Sequence, residues 1–216
     1  ENYGASVTIN AGAGKDIIRN YSDSSVIING GAGNDSIVNG YYEEFNEWDY
    51  WSWGGDNASI NGGDGDDTIE NYGNSATIEG GLGNDLISTG GRSVFINYAK
   101  GDGNDTIQGF GDSSTLKITS GLIDKVTSNT QDIFLTIGQN KITLKDAYYL
   151  NRFNVVDKDY NEMALGSIEV VGPSSANGTI ENYRDSVLIN PGAGDDSIEN
   201  YGASVTINAG AGKDII

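Results

Sequence analysis

The chain of 216 residues has no cysteine, no histidine, two prolines and one methionine. Without cysteine there is no disulfide and no thiolate metal site. Without histidine there is no imidazole ligand and no serine–histidine relay. The lack of cysteine also leaves the redox compartment open. Basic residues are scarce: 12 Lys+Arg stand against 31 Asp+Glu, a net charge of −19. Nucleic acid, anionic membranes and polyanionic sugars are poor partners for such a chain, and a divalent cation is a good one. No apolar run approaches the ~18 residues of a membrane-spanning helix, and no signal peptide is visible. The chain begins within a repeat and without methionine, which points to a piece of a longer protein.

Glycine is abundant, with 32 residues, but there is no G-X-Y period, so collagen is excluded. Large apolar residues are few apart from isoleucine and valine, which favours a repeat array over a single ordinary core. The array is explicit. ENYGASVTINAGAGKDII fills residues 1–18 and again 199–216, letter for letter. Each copy has two halves: a polar turn with a short strand, then a glycine-rich turn ending in aspartate with a second strand.

Variants recur along the chain. Glycine turns span 11–16, 30–35, 62–67, 80–85, 100–105, 191–196 and 209–214, ending in Asp16, Asp35, Asp67, Asp85, Asp105, Asp196 and Asp214. Two residues after each aspartate stands an isoleucine, from Ile18 to Ile216. The other halves end in Ile9, Ile28, Ile60, Ile78, Ile96, Ile189 and Ile207, most with valine or alanine two places earlier. That period of two marks short, half-buried strands.

The aspartate spacing locates interruptions. Asp67 to Asp85 and Asp196 to Asp214 are 18 residues apart, which sets the expected coil. One extra residue lies near Ser24, and 14 extra residues lie within 41–57. The latter stretch holds Tyr41, Tyr42, Phe45, Trp48, Tyr50, Trp51 and Trp53, interleaved with acids. It replaces a polar turn, so it is expected to project from the edge opposite the aspartates. A larger interruption, at roughly 108–175, reads as a separate β-rich module. Its strands are expected at 115–119, 124–128, 132–137, 141–144 and 167–171. A hairpin turn is expected at 138–140, one helical turn at 147–150 and a break at 172–175. The expected organisation is a roll over 1–107, the module over 108–175 and further roll coils over 176–216.

The glycine turn suits a hard cation. Glycine allows positive φ, so a six-residue turn is able to aim successive carbonyls inward. Carbonyl and carboxylate oxygens suit Ca²⁺, which takes six to eight of them. Coils stacked ~4.8 Å apart align equivalent aspartates, and each neighbouring pair costs roughly 0.8 kcal/mol in water and several times more when desolvated. Such a row calls for cations between coils.

GGAGNDSIV (30–38), GGDGDDTIE (62–70) and GGLGNDLIS (80–88) resemble the nonapeptide repeat of RTX, or haemolysin-type, calcium-binding proteins. The resemblance covers roughly 1–107 and 176–216. It implies an all-β fold, a right-handed parallel β-roll or β-solenoid, interrupted by the small antiparallel β module. It implies calcium between neighbouring coils, held by the seven aspartates. Carbonyls would come from the paired glycines Gly12 and Gly14, Gly31 and Gly33, Gly63 and Gly65, Gly81 and Gly83, Gly101 and Gly103, Gly192 and Gly194, Gly210 and Gly212. The segment 128–150 resembles the β-rich module that often follows such repeats. Only alternate halves carry the motif, so one calcium-binding edge with several ions in one row is expected. The other edge repeats Asn-Tyr and is expected to form ladders. The first glycine gives way to Ala11, Lys100, Pro191 and Ala209, which should weaken those turns, Lys100 most.

The leading functional expectation is a calcium-stabilised structural segment of an extracellular bacterial surface protein or filament, adhesin-like and exported by type I secretion. Residue 1 matches residue 199, so a tandem unit of 198 residues is expected, joined to neighbouring units or to sister subunits end to end. One alternative is a module that binds glycan or a host surface through 41–57. Another is the secretion tail of an enzyme lying outside the segment. No acid pair stands apart from the calcium pattern, so no catalytic residue is expected.

Overall fold

The computed structural model describes residues 1–22, 25–46, 49–111, 113–129, 131–147, 150, 154–163, 169–171 and 177–216, with the side chains of 42–53 and 171 left aside. Strand β1 (Thr8–Ala13) precedes the first glycine turn and β2 (Ile17–Asn20) follows it. The same order gives β3 (Ile27–Ala32) and β4 (Ser36–Asn39). An inserted hairpin, β5 (Tyr41–Asn46) and β6 (Asp49–Trp53), comes next. The alternation resumes with β7 (Ser59–Asp64), β8 (Thr68–Asn71), β9 (Thr77–Leu82), β10 (Leu86–Thr89), β11 (Phe95–Tyr98) and β12 (Thr106–Gln108). The second half holds β13 (Thr115–Ile118), β14 (Lys125–Ser128), β15 (Ile133–Ile137), β16 (Asn140–Leu144), β17 (Asn154–Val156) and β18 (Glu169–Val171). It ends with β19 (Thr179–Asn182), β20 (Leu188–Asn190), β21 (Ser197–Asn200) and β22 (Thr206–Ile207).

The fold is all-β, with two long and mainly parallel sheets compatible with a β-solenoid or roll. The first sheet has the order β1-β3-β7-β9-β11-β13-β17. The second has the order β2-β4-β8-β10-β12-β16-β15-β14-β18-β20-β22. The chain passes from the first long sheet to the second at the five glycine turns between β1 and β12, whereas β19 and β21 form a separate two-stranded parallel sheet. Isoleucine alternates with polar residues because each strand buries one face only. Ile60 pairs with Ile78, and Ile78 with Ile96, in the first sheet. Ile37, Ile69, Ile87 and Ile107 align in the second. All seven are buried, and they form the main core with Leu116, Ile142 and Leu144. No helix among the described residues is long and apolar enough to cross a membrane.

The Asn-Tyr edge forms the expected ladders. Asn2, Asn20 and Asn39 each donate Nδ2 to Oδ1 of the next asparagine, Asn20, Asn39 and Asn71, at 2.7 Å. Asn20, Asn39 and Asn71 are buried, so each side-chain amide replaces water with its neighbour. Tyr3 stacks on Tyr21 at 5.2 Å and Tyr183 on Tyr201 at 4.8 Å.

The interrupting segment does not stand apart from the roll, contrary to the sequence expectation. β13 and β17 extend the first sheet, and β16 pairs in parallel with β12 in the second. Strand patterns of this length bury one face in either direction, so their sequence does not fix the pairing. Antiparallel pairing in this segment joins β16, β15 and β14, with the turn at Gly138–Gln139 as expected, and one isolated bridge links Val156 and Glu162. Residues 148–149, 167–168 and 172–175, which include parts of the expected helical turn, last strand and break, lie outside the described residues.

This segment also reverses the edges. β15 runs against β16 and β14 runs against β15, so β14 points with β12. β18 and β20 are parallel to β14. Strand β12 follows an aspartate turn, whereas β20 precedes one. The turns at 191–196 and 209–214 therefore lie on the side occupied by the Asn-Tyr turns of the first part. A small second core of Val170, Ile180, Val187, Ile189 and Ile198 accompanies the shift.

Ile78 has isoleucine partners on both sides and is 0 % exposed. Ile78→Ala should cost about 2–5 kcal/mol, against at most ~0.5 kcal/mol for the outward Thr77→Ala. Urea denaturation of both variants under one set of conditions checks this.

Candidate metal centre

The turns at 30–35, 62–67 and 80–85 stack directly. Two glycines in each lie at positive φ, for example Gly63 at 115° and Gly65 at 124°. A methyl group on Gly63 would stand 1.9 Å from the Gly31 carbonyl oxygen. That oxygen thus points along the stack into the next turn, an approach open only to glycine. The first glycine has a separate reason. A methyl group on Gly62 would stand 2.4 Å from both Asp67 Oδ2 and the Gly80 carbonyl oxygen. On Gly30 it would stand 2.4 Å from Asp35 Oδ2 and from the Gly62 carbonyl. Glycine here keeps open a cradle toward which a carboxylate and a carbonyl of the next circuit converge.

The two oxygens of each aspartate have different surroundings. Oδ1 accepts a backbone hydrogen bond from the preceding circuit: Asp16 N–H to Asp35 at 2.9 Å, Asp35 to Asp67 at 2.7 Å, Asp67 to Asp85 at 2.8 Å and Asp85 to Asp105 at 3.1 Å. Oδ2 of Asp16, Asp35, Asp67, Asp85 and Asp196 is buried with no hydrogen-bond partner. A buried, unpaired carboxylate oxygen is costly. Burial and the stacked neighbours push the carboxyls of Asp67 and Asp85 up to about 6 and that of Asp105 up to about 7.

The seven predicted aspartates fall into two files. Asp16, Asp35, Asp67, Asp85 and Asp105 form one. Asp196 and Asp214 form another on the opposite side, with Asp196 N–H donating to Asp214 Oδ1 at 3.0 Å. The single row expected from the sequence is thus divided, because the interrupting segment shifts the chain by half a circuit. The predicted glycines Gly12, Gly14, Gly31, Gly33, Gly81, Gly83, Gly101, Gly103, Gly192, Gly194, Gly210 and Gly212 all share the positive φ. Among the described residues no three acidic side chains gather around one point. Each opening is lined by backbone carbonyls and one carboxylate at a time, a donor set of hard oxygens.

Two features escaped the sequence reading. In four turns of the first file the residue before the aspartate builds a second ladder: Asn34 Oδ1 accepts from Asp66 N–H at 3.2 Å, Asp66 Oδ1 from Asn84 at 2.7 Å and Asn84 Oδ1 from Asn104 at 3.1 Å. Asn or Asp just before the terminal aspartate in five of the seven turns was the available signal. The second feature is Tyr98, 2 % exposed, which donates its hydroxyl to the Gly103 carbonyl at 2.6 Å. Burial and the nearby Asp105 and Asp102 push its phenol up to about 12. That hydroxyl ties the end of β11 to the 100–105 turn.

In the aromatic insertion, the strands pair antiparallel, Tyr41 opposite Trp53 and Glu43 opposite Trp51, and join neither long sheet. Tyr41 meets Tyr21 edge-on at 6.0 Å. Trp48 and the side chains of Tyr42, Phe45, Tyr50, Trp51 and Trp53 lie outside the described residues. No protein-family model matches the chain, and no curated protein matches it.

The raised carboxyls set a pH dependence for the cation-free chain. Their folded values exceed the ordinary 3.8, so the fold holds more protons than the unfolded chain between that value and about 7. The stability they contribute is complete below about pH 4 and is lost as pH rises through about 6–7. In chelator, β structure should strengthen from pH 7.5 to pH 5, by up to about 1.4 kcal/mol per pH unit per titrating group. Denaturation followed by circular dichroism across that range measures it, and a flat or rising profile contradicts it.

Proposed function

We propose that the chain is a calcium-stabilised structural segment of an extracellular bacterial surface protein or filament, a stiff stalk of tandem 198-residue units. The buried Oδ2 atoms without partners carry this reading. A divalent cation would be held by Asp35 with the Gly30 and Gly62 turns, and by Asp67 with the Gly62 and Gly80 turns. Bound there, it would supply the positive charge that the carboxylate files lack. The rest belongs to the chain. Gly30, Gly62 and Gly80 keep the cradles open, Oδ1 fixes the spacing of circuits, and the isoleucine files close once repulsion is relieved. A cation bound by the folded state alone stabilises it by linkage. In calcium-poor cytosol the chain would stay open for export, and outside it would fold.

Calcium titration of the chelated chain, followed by far-UV circular dichroism, tests this. A cooperative rise in β structure at roughly 0.1–1 mM is expected. Asp67→Asn retains an Oδ1 acceptor and removes the charge. It should stabilise the chelated chain and raise the calcium midpoint severalfold. A chain equally β-rich with and without calcium, and indifferent to D67N, refutes the proposal.

A second reading is favoured by the β5–β6 hairpin, whose strands pair only with each other. An element outside both sheets and rich in aromatic residues suits sugar stacking or protein contact. Replacing Trp48, Trp51 and Trp53 by alanine should abolish glycan or cell binding and leave the calcium response unchanged. Intact binding in that variant eliminates this role for the hairpin.

A further inference from the structure

The last turn of the first file is two residues longer than the others. Asp85 and Asp105 are 20 residues apart, against 18 for Asp67 and Asp85. The sheet register shows where the two residues enter. Asn29 pairs with Asn61, Asn61 with Glu79 and Glu79 with Asn97. The residue that follows is Gly30, Gly62 or Gly80 in the first three circuits and Tyr98 in the fourth. By register, Tyr98 rather than Lys100 replaces the first glycine, and Ala99 and Lys100 are the added pair.

A side chain at that position is directed into its own turn. A methyl group on Gly30, Gly62 or Gly80 would run into Oδ2 of Asp35, Asp67 or Asp85, the aspartate that closes the same turn. The matching aspartate for Tyr98 is Asp105. Tyr98 is buried, and its hydroxyl donates to the Gly103 carbonyl at 2.6 Å. That carbonyl is one of those expected to face an ion. The Tyr98 carbonyl accepts from the Thr119 N–H at 2.8 Å and from the Thr119 hydroxyl at 3.1 Å.

The start of this turn has also left the stack. A methyl group on Gly31, Gly63 or Gly81 would strike a carbonyl oxygen of the preceding circuit, whereas one on Gly101 would meet nothing within 4 Å. Lys100 lies against the interrupting segment. Its Cβ and Cε are 3.0 and 3.1 Å from where methyl groups on Gly121 and Gly138 would stand. In this file Oδ2 is buried without a partner in Asp16, Asp35, Asp67 and Asp85, and Asp105 is not among them.

We infer that the Tyr98 phenol stands in the Asp105 turn where a cation stands in the turns before it, so that the first file of cations stops short of Asp105; this stop rests on the calcium reading and deepens it. Glycine leaves a space for an ion and a carbonyl for it to bind. Tyrosine fills the space with its ring and satisfies the carbonyl with its proton. A neutral phenol closes the turn at any calcium concentration. The place suits a stop. The next strand of the second sheet, β16, enters from a hairpin, so no glycine turn follows on which an ion at Asp105 would rest.

The test counts ions bound at saturating calcium by equilibrium dialysis, on the full chain and three variants, with circular dichroism recording each transition. D67N should bind fewer ions than the parent and raise the calcium midpoint severalfold. D105N, whose side chain still accepts the Asp85 N–H, should keep the parent's ion count and midpoint. Y98F should keep the count as well, and lower the resistance of the calcium-loaded chain to urea. A count that falls in D105N or in Y98F overturns the inference, and so does a Y98F chain as resistant to urea as the parent. A parent that binds calcium while D105N binds less removes this stop alone. A parent that binds no calcium removes the calcium reading and the stop together.

Discussion

The fold depends on one constraint: a parallel stack in register repeats every group at every level, including its acids. Each circuit adds an isoleucine pair to the core and another aspartate to a file of like charges. Hydrogen bonding solves half of the problem. Asp35, Asp67 and Asp85 each present Oδ1 to a backbone N–H, which fixes the spacing between circuits. The other half stays open, since Oδ2 of the same residues is buried without a partner. Among the described residues no Lys or Arg pairs with these carboxylates. On the calcium proposal, the stability of this edge belongs jointly to the chain and to the ion that neutralises it.

The two edges answer the same constraint in opposite ways. On the Asn-Tyr edge, each asparagine is both donor and acceptor, so Asn2, Asn20, Asn39 and Asn71 satisfy one another along the stack. An amide ladder is complete within the chain and insensitive to pH. An aspartate only accepts when ionised, so its file has no such closure. One edge is closed by the chain's own hydrogen bonds, and on the calcium proposal the other is closed by a bound ion.

Much of this was legible because a repeat multiplies its signal. The Gly-x-Gly-x-Asp-x-Ile register, present seven times, places strands, inward residues and the aspartate alignment without tertiary information. The Asn-Tyr ladders followed from the same logic. What the sequence hid depends on direction and on single atoms. β13, β16 and β17 alternate as roll strands and hairpin strands both do, so their entry into the long sheets was not readable. The half-circuit shift that moves Asp196 and Asp214 to the opposite side follows from two reversals at β15 and β14, which no local pattern encodes. The division of labour between Oδ1 and Oδ2 is a property of rotamers. Tyr98 closes β11, and no local pattern marks that its buried hydroxyl meets the Gly103 carbonyl of the following turn.

The reversal has a physical reason to be tolerated. Both long sheets offer the same inward isoleucine files, so a strand that precedes an aspartate turn fits where one that follows it would. The second sheet accepts β20 after β18 because Val170 and Ile189 meet as any two core residues of the roll do. The core is thus indifferent to which edge carries the charge, and only the turns record it. A solenoid built on this principle is free to move its acidic edge from one side to the other without altering its interior. Its interior is apolar and uniform, and its edges carry everything specific.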